Sequence, residues 1–196
     1  MNNLVPENKY YCKCPYPMVP QFIVVHNTAN DASAQSEINY MINNNKYRSF
    51  HYAIDDKEVV QGIPENRNAF HAGDGDVGTG NRKGIAVEIC YSKSGGDRFI
   101  KAEQRAAEFI AGKLNYYGWD ISHVKKHQDF SGKYCPHRTL DMGWQRFLDM
   151  VQGYMEHWAA PYKRSLESKG IKINDERYDD FITRGEMFAL LDRIIK

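Results

Sequence analysis

The sequence predicts an α/β protein with a central mixed β-sheet flanked by helices and a small helical appendage at the C-terminus. Short apolar runs rich in β-branched residues alternate along the chain with amphipathic segments of helical period, which is typical of this fold class. After Pro161 the alternation stops and one clear amphipathic helix follows. The length of 196 residues fits one ordinary domain, predicted over 1–158, with an appendage over 159–196.

The first half of the chain contains three predicted strands and one predicted helix. The apolar run 22–25 predicts a buried strand, and residues 50–55 and 58–63 predict two more strands joined by a polar turn. Between the first and the second of these strands, apolar residues recur at helical spacing from Ser33 onward, which predicts a helix. The asparagines at 43–45 end that helix.

The second half begins with the glycine-rich stretch 70–83, which has almost no aliphatic residues and predicts a long loop. Loops of this length inside a domain are usually functional. A strand is predicted at 84–90, and residues 102–114 form an amphipathic helical face that Gly118 closes.

Two further helices are predicted towards the C-terminus. One spans 144–158, with Asp141 as its N-cap, and the other follows a capping box formed by Thr183 and Glu186. The segment 159–196 is too short to be stable through its own core. It must therefore pack on the main domain, pair with a second copy of the chain, or fold on a partner.

Composition excludes two classes of partner. The 26 basic and 25 acidic residues nearly cancel, which excludes electrostatic binding of nucleic acid as the main function. No apolar run approaches the roughly 18 residues of a membrane span. The start of the sequence lacks the basic and apolar regions of a secretory signal, so we expect no disulfide framework and expect Cys12, Cys14 and Cys90 to be reduced thiols.

A histidine and a cysteine close together in sequence predict a metal site. His127 and Cys135 supply imidazole and thiolate, a favoured donor pair for zinc, and His26 at a strand end is the natural third donor. Three protein donors would leave the open fourth position of a catalytic site. His137 is a rival to His127, which spacing alone does not exclude.

Glu88 is unusual because it interrupts a strand that is otherwise apolar on both faces. A partly desolvated carboxylate there would have a raised pKa, in the range of a general base. The alternative is a glutamate that faces solvent from an edge strand. Of the remaining histidines, His51 is expected to pack within its strand, and His71 either contacts a substrate or orders its own loop.

Five ordered motifs carry a family resemblance, and they read Val25-His-Asn-Thr28, Ser49-Phe-His-Tyr-Ala-Ile54, Phe70-His-Ala-Gly73, Asn81-Arg-Lys-Gly-Ile-Ala-Val-Glu88 and His127-Gln-Asp-Phe-Ser-Gly-Lys-Tyr-Cys-Pro136. Together they resemble the zinc-dependent N-acetylmuramoyl-L-alanine amidases, a family shared by phage endolysins, bacterial autolysins and peptidoglycan-recognition proteins. The resemblance covers roughly residues 20–155 and is closest to endolysins of clostridia-like Gram-positive hosts.

The resemblance implies a Zn²⁺ cofactor and a set of ligands. His26, His127 and Cys135 would bind the ion, with water in the fourth position. His71 and Asn81 match family positions near the substrate.

The resemblance also implies the catalytic groups. Glu88 matches the catalytic glutamate of the endolysin branch, and Lys133 matches a lysine that stabilises the developing oxyanion. Phe50 departs from the pattern, because some members have a tyrosine there that positions water. This departure leaves Glu88 as the base.

The implied function is hydrolysis of the amide bond between N-acetylmuramic acid and L-alanine in peptidoglycan. The alternatives are a peptidoglycan-binding module without activity, and a zinc ion with a purely structural role. We expect an endolysin that accumulates in the cytoplasm and reaches the cell wall after holin-type release. The tail, around 170–174 and 182–186, resembles part of an S-layer-homology motif, with homodimer formation as the alternative.

Overall fold

Five strands form one mixed sheet in the computed structural model, which describes residues 4–155, 160–171 and 182–195. The strands are β1 (Phe22–Asn27), β2 (Tyr52–Ile54), β3 (Val59–Gln61), β4 (Gly84–Ile89) and β5 (Val124–Lys126). Their order across the sheet is β3-β2-β4-β1-β5, and only the β2–β3 pair is antiparallel. The predicted mixed sheet is therefore confirmed.

The position of β1 explains its apolar sequence. It pairs with β4 on one side and with β5 on the other, and Ile23, Val24 and Val25 have no exposed surface. Because β1, β4 and β5 are parallel, their carboxyl ends meet at one edge of the sheet, where ligands bind in open α/β folds.

The helices of the first 155 residues are, in chain order, α1 (Tyr10–Lys13), α2 (Ala34–Asn43), α3 (Thr79–Lys83), α4 (Gly96–Tyr117), α5 (Gln128–Ser131), α6 (His137–Asp141) and α7 (Trp144–Met155). Beyond them the structure describes α8 (Ala160–Ser168) and α9 (Arg184–Ile195). Two short 3₁₀ turns lie at Glu7–Lys9 and Ile121–His123. Helix α2 contacts β2 and β3, whereas α4 contacts β2, β4 and α7.

Two of the predicted helix boundaries are confirmed by their caps. The Ser33 hydroxyl accepts a hydrogen bond from the backbone N–H of Ser36 and so starts α2. Gly118 ends α4 in the left-handed region, at a φ of 66°, where glycine is not strained.

Two predictions about local structure were wrong. The stretch 70–83 is not a loop throughout, because α3 forms within it, and the Asp74 carboxylate accepts hydrogen bonds from the N–H groups of Gly80 and Asn81. Asp141 does not cap α7. It is the last residue of α6, and its carboxylate accepts a hydrogen bond from the Tyr134 hydroxyl.

The chain divides into two compact units, Met1–Met155 and Glu156–Lys196. Within the second unit, Thr183 and Glu186 form the reciprocal hydrogen bonds of the predicted capping box at the start of α9. Trp158 and residues 172–181 lie outside the described residues, so wall binding or dimer formation by the tail stays a prediction. Among the described residues, no helix has the length and apolar character needed to cross a bilayer.

Candidate active site

The sheet brings three of the predicted site residues to one edge. His26 near the end of β1 lies opposite Glu88 of β4 in the strand register. His127 follows β5 directly, and its N–H donates to the carbonyl of Val25. After His127 the chain turns back and brings Cys135 to the same edge, where the N–H of Gln128 donates to the carbonyl of Cys135. Parallel pairing of β4, β1 and β5 therefore gathers residues that are far apart in sequence.

The donor atoms of His26, His127 and Cys135 converge. The two Nδ1 atoms are 3.0 Å apart, the Cys135 Sγ is 3.9 Å from the His26 Nδ1, and all three donor atoms lie within 4.8 Å of one another. All three residues are buried. His137 is not part of this cluster, because its Nε2 faces the Ser92 carbonyl oxygen at 3.3 Å. The rival assignment of His137 as a ligand is therefore not supported.

The electrostatics of the three donors suit a divalent cation. Burial lowers the pKa of His26 well below its ordinary value and lowers the pKa of His127 to about 4, so both rings are neutral at pH 7. Burial raises the pKa of the Cys135 thiol to about 11. Two neutral imidazoles and a thiol whose proton a cation displaces are a donor set that fits zinc.

Glu88 lies beside these donors with an unpaired oxygen. Its Oε2 is buried and has no hydrogen-bond partner among the described residues. Burial raises the pKa of Glu88 to about 8, and the negative charge of Glu37 acts in the same direction. The positive charge of Lys133 acts in the opposite direction. The edge-strand alternative for Glu88 is wrong, because β4 lies between β2 and β1.

Lys133 extends from the turn between His127 and Cys135 and is exposed. Its positive charge lowers the pKa of His26, of His127 and of Glu88. A flexible ammonium group is therefore close enough to the donor cluster to interact with a negative charge that develops there.

A single cavity of about 1160 Å³ contains all of these groups. It is lined by the predicted metal-binding and catalytic residues together with side chains of α2 and of the segment 44–50, including His26, Glu88, His127, Lys133, Cys135, Glu37, Tyr40, Tyr47, Arg48 and Phe50. Pockets for small ligands usually measure about 300–1,000 Å³, so this one has room for a larger molecule.

A family model described as N-acetylmuramoyl-L-alanine amidase matches residues 16–138 of the chain. The chain belongs to this amidase family.

Individual members of the family are similar over most of the chain. The amidase CwlA of Bacillus subtilis strain 168 is 61% identical over 143 residues, which are 73% of this chain and 53% of CwlA. The amidase XlyB of the same strain is 50% identical over 178 residues, which are 90% of this chain and 56% of XlyB. The chain thus spans about half the length of these two amidases.

Solved structures agree with the family assignment. The structure of PlyL is 54% identical with a TM-score of 0.74, and the match covers 76% of this chain and 94% of PlyL. The solution structure of the PlyG catalytic domain is 51% identical with a TM-score of 0.76, and covers 82% of this chain and 98% of that domain. The clostridia-like host stays a prediction.

The two residues that the family resemblance places near a substrate, His71 and Asn81, each have hydrogen-bond partners inside the protein. His71 lines the cavity, and its Nδ1 is 2.9 Å from the Nε2 of His26. The Asn81 Oδ1 accepts hydrogen bonds from the N–H groups of His71 and Ala72 at 2.7 and 2.8 Å. Its Nδ2 donates to the Gly75 carbonyl at 2.9 Å.

Glu37 is a cavity residue that the sequence analysis missed. It is 8% exposed, accepts a hydrogen bond from the Asn30 side chain, and has a pKa raised by burial. A signal was present, because Glu37 lies on the same buried stripe of α2 as Ala34, Ile38 and Met41. A carboxylate on the apolar face of a helix is as unusual as one on the apolar face of a strand.

Proposed function

We propose that this chain is a zinc-dependent N-acetylmuramoyl-L-alanine amidase that cleaves the amide bond between N-acetylmuramic acid and L-alanine in bacterial peptidoglycan. The observation that carries the proposal is the convergence of His26, His127 and Cys135 beside Glu88, whose buried Oε2 has no hydrogen-bond partner among the described residues. Membership of the amidase family supports the same reaction.

His26 and His127 through their Nδ1 atoms, and Cys135 through its sulfur, would hold the zinc ion. When bound in such a site, zinc lowers the pKa of a bound water to about 7 and polarises a carbonyl oxygen. Three protein ligands leave room for that water, as in catalytic rather than structural sites.

Glu88 would act as the general base and then as the general acid. With a pKa of about 8, a fraction of the Glu88 side chains is ionised at pH 7, and this ionised form can accept a proton from the attacking water and return it to the leaving amine of alanine. General acid–base catalysis of this kind contributes roughly 10²–10⁴ to the rate. The buried Oε2, which has no partner among the described residues, is the atom available to take the proton.

Lys133 would stabilise the oxyanion of the tetrahedral intermediate. It is exposed within the cavity wall, and its charge acts on Glu88 and on both imidazoles. Loss of one such group typically costs about 10²–10³ in kcat. The cavity walls formed by α2 and the segment 44–50 would accommodate the peptide and glycan on either side of the scissile bond.

Mass spectrometry of purified cell walls digested with the full chain tests this proposal. We expect stem peptides that begin with a free L-alanine amine, together with glycan strands whose lactyl carboxylates are free. Removing zinc with a chelator, or the substitution Cys135→Ser, should abolish both products, and added zinc should restore them only in the unaltered chain.

Other products would reject the proposed reaction. Cleavage at another bond, or digestion that persists in Cys135→Ser, would contradict the zinc amidase. Tight binding to walls without any new amino groups would instead support the peptidoglycan-binding module. Accumulation in the cytoplasm and holin-type release stay predictions.

A further inference from the structure

The outer nitrogens of both imidazole ligands face one short segment of the chain. The His26 Nε2 is 2.9 Å from the His71 Nδ1, and the two rings meet edge to face at 87°. The same segment runs past the His127 ring, because a Cβ built on Gly73 would lie 3.4 Å from the His127 Nε2, and the backbone of Ala72 acts to raise the pKa of that ring. The segment 71–73 therefore lies against both imidazoles on the sides that point away from the donor cluster.

The direction of the His26–His71 hydrogen bond follows from which atom binds the metal. The His26 Nδ1 is the atom that faces His127 and Cys135, so it must keep its lone pair free. The proton of the neutral His26 ring is then on Nε2 and is donated to the His71 Nδ1. This requires that His71 carry its own proton on Nε2, a buried atom without a hydrogen-bond partner among the described residues. Burial lowers the pKa of the His71 ring well below its ordinary value, so the ring is neutral and carries a single proton.

Asn81 holds the segment that makes these contacts. Its Oδ1 accepts the N–H groups of both His71 and Ala72, and its Nδ2 donates to the Gly75 carbonyl. Its own N–H donates to the carboxylate of Asp74. One buried side chain, 4% exposed, thus fixes residues 71 and 72 of the segment that lies against the two imidazole ligands.

We infer that His71 and Asn81 are positioning residues of the metal site, where His71 fixes the ring orientation and tautomer of His26 and Asn81 holds the backbone of residues 71 and 72. The inference rests on the proposed function, because zinc belongs to it. It gives both residues a role other than the substrate contact that the family resemblance implied. Loss of such an outer partner of a metal ligand typically weakens metal binding 10–100-fold.

Zinc affinity of the full chain, measured by competition with a chromophoric chelator, tests this role without depending on amidase activity. His71→Leu removes the acceptor, and we expect the zinc Kd to rise 10–100-fold. His71→Asn keeps an acceptor oxygen near the position of Nδ1, and we expect the Kd to stay within about threefold of the original. His123→Leu is the matched control, since His123 stacks on Trp119 outside the cavity and should leave the Kd unchanged.

Nuclear magnetic resonance of the unaltered zinc-bound chain gives a second measurement that needs no variant. With ¹⁵N-labelled histidines, we expect the His26 Nε2 to be protonated and a scalar coupling to cross its hydrogen bond to the His71 Nδ1. A structural role of His71 alone would not produce that coupling. Its absence would overturn the inference even if the His71→Leu chain failed to fold.

The outcomes separate this inference from the proposed function. Equal zinc affinity in the unaltered and His71→Leu chains would overturn the inference and leave the amidase proposal standing. Zinc binding that weakens as expected would support the inference even if no wall bond were cleaved, a result that would reject only the proposed function. Failure of the unaltered chain to bind zinc would overturn both.

Discussion

Glu88 acquires its chemistry from its place in the sheet. The same side chain on an edge strand would be solvated and ionised at neutral pH, whereas on the internal strand β4 its Oε2 is buried and burial raises its pKa to about 8. Burying a carboxylate without a partner costs free energy of folding. The site therefore combines a destabilising group with a proton affinity near the working pH, which is common at catalytic positions.

Glu88→Gln should separate catalysis from metal binding. The amide has nearly the same size but cannot accept the water proton, so we expect kcat on purified walls to fall about 10²–10⁴-fold. Because Glu88 is not a predicted ligand, the zinc Kd should change by less than about threefold. Release of amino groups measures the first quantity and chelator competition the second. A variant that loses zinc binding would show that Glu88 belongs to the metal site instead.

His51 should make the fold sensitive to acid. It is fully buried, its Nδ1 accepts from the Ala86 N–H, its Nε2 donates to the Arg67 carbonyl, and burial lowers its pKa to about 4. In the unfolded chain a histidine has a pKa of about 6.5. Between these two values only the unfolded state takes up the proton, so stability is fully present above pH 6.5 and falls as the pH decreases towards 4.

The expected size of this effect is about 2 kcal/mol between pH 7 and pH 5. Urea unfolding at both pH values, with the full chain and His51→Gln, measures it. The variant should be less stable at pH 7. On acidification to pH 5, its free energy of unfolding should fall by about 2 kcal/mol less than that of the full chain, because glutamine does not titrate. The other buried histidines contribute equally to both proteins. Identical losses on acidification would show that His51 is not the acid-sensitive group.

The sequence predicted the residues of the site better than their surroundings. His26 and Glu88 stood out because polar groups interrupted apolar strands, and His127 and Cys135 stood out as a donor pair. The apolar period of α2 predicts the helix but does not by itself single out Glu37, which lies among the apolar residues of its buried face. Its approach to Glu88 depends on how α2 packs against the sheet, which no local pattern reports.

Among the elements, the segment 70–83 is the one whose composition predicts a loop although part of it is a helix. Its glycines predict a loop, and most of it has no regular structure, yet α3 forms at Thr79–Lys83. The helix is stabilised by a side chain several residues upstream, since Asp74 accepts from the N–H groups of Gly80 and Asn81. Strand β5 was missed for a related reason, because Val124 and two lysines become a strand only by pairing with β1.

Asp74→Ala should loosen this segment and the metal site with it. Loss of the two hydrogen bonds leaves the start of α3 uncapped, which costs about 0.5–2 kcal/mol of folding free energy. Because Asn81 lies in α3 and holds His71, zinc affinity should fall as well. Urea unfolding and chelator competition measure the two effects. Asp74→Asn keeps one acceptor oxygen and should recover part of the stability and part of the zinc affinity. If Asp74→Asn and Asp74→Ala lose the same stability and affinity, Asp74 does not cap α3.

At the scale of the whole molecule, every catalytic and metal-binding residue proposed here lies in the unit Met1–Met155. The edge that joins β4, β1 and β5 is complete within that unit, and so is the cavity. These observations argue that the chemistry does not require the unit Glu156–Lys196.

Ending the chain after Met155 should therefore leave the reaction intact. We expect the shortened chain to bind zinc with the same affinity and to cleave a soluble muramoyl peptide with a kcat/KM within about threefold of the full chain, since all the residues proposed to act on the transition state belong to the first unit. Cleavage of intact walls is the contrasting measurement. A tail that binds a wall polymer should make the full chain faster on walls but not on the soluble substrate. Loss of zinc binding on truncation would mean that the tail supports the fold of the site.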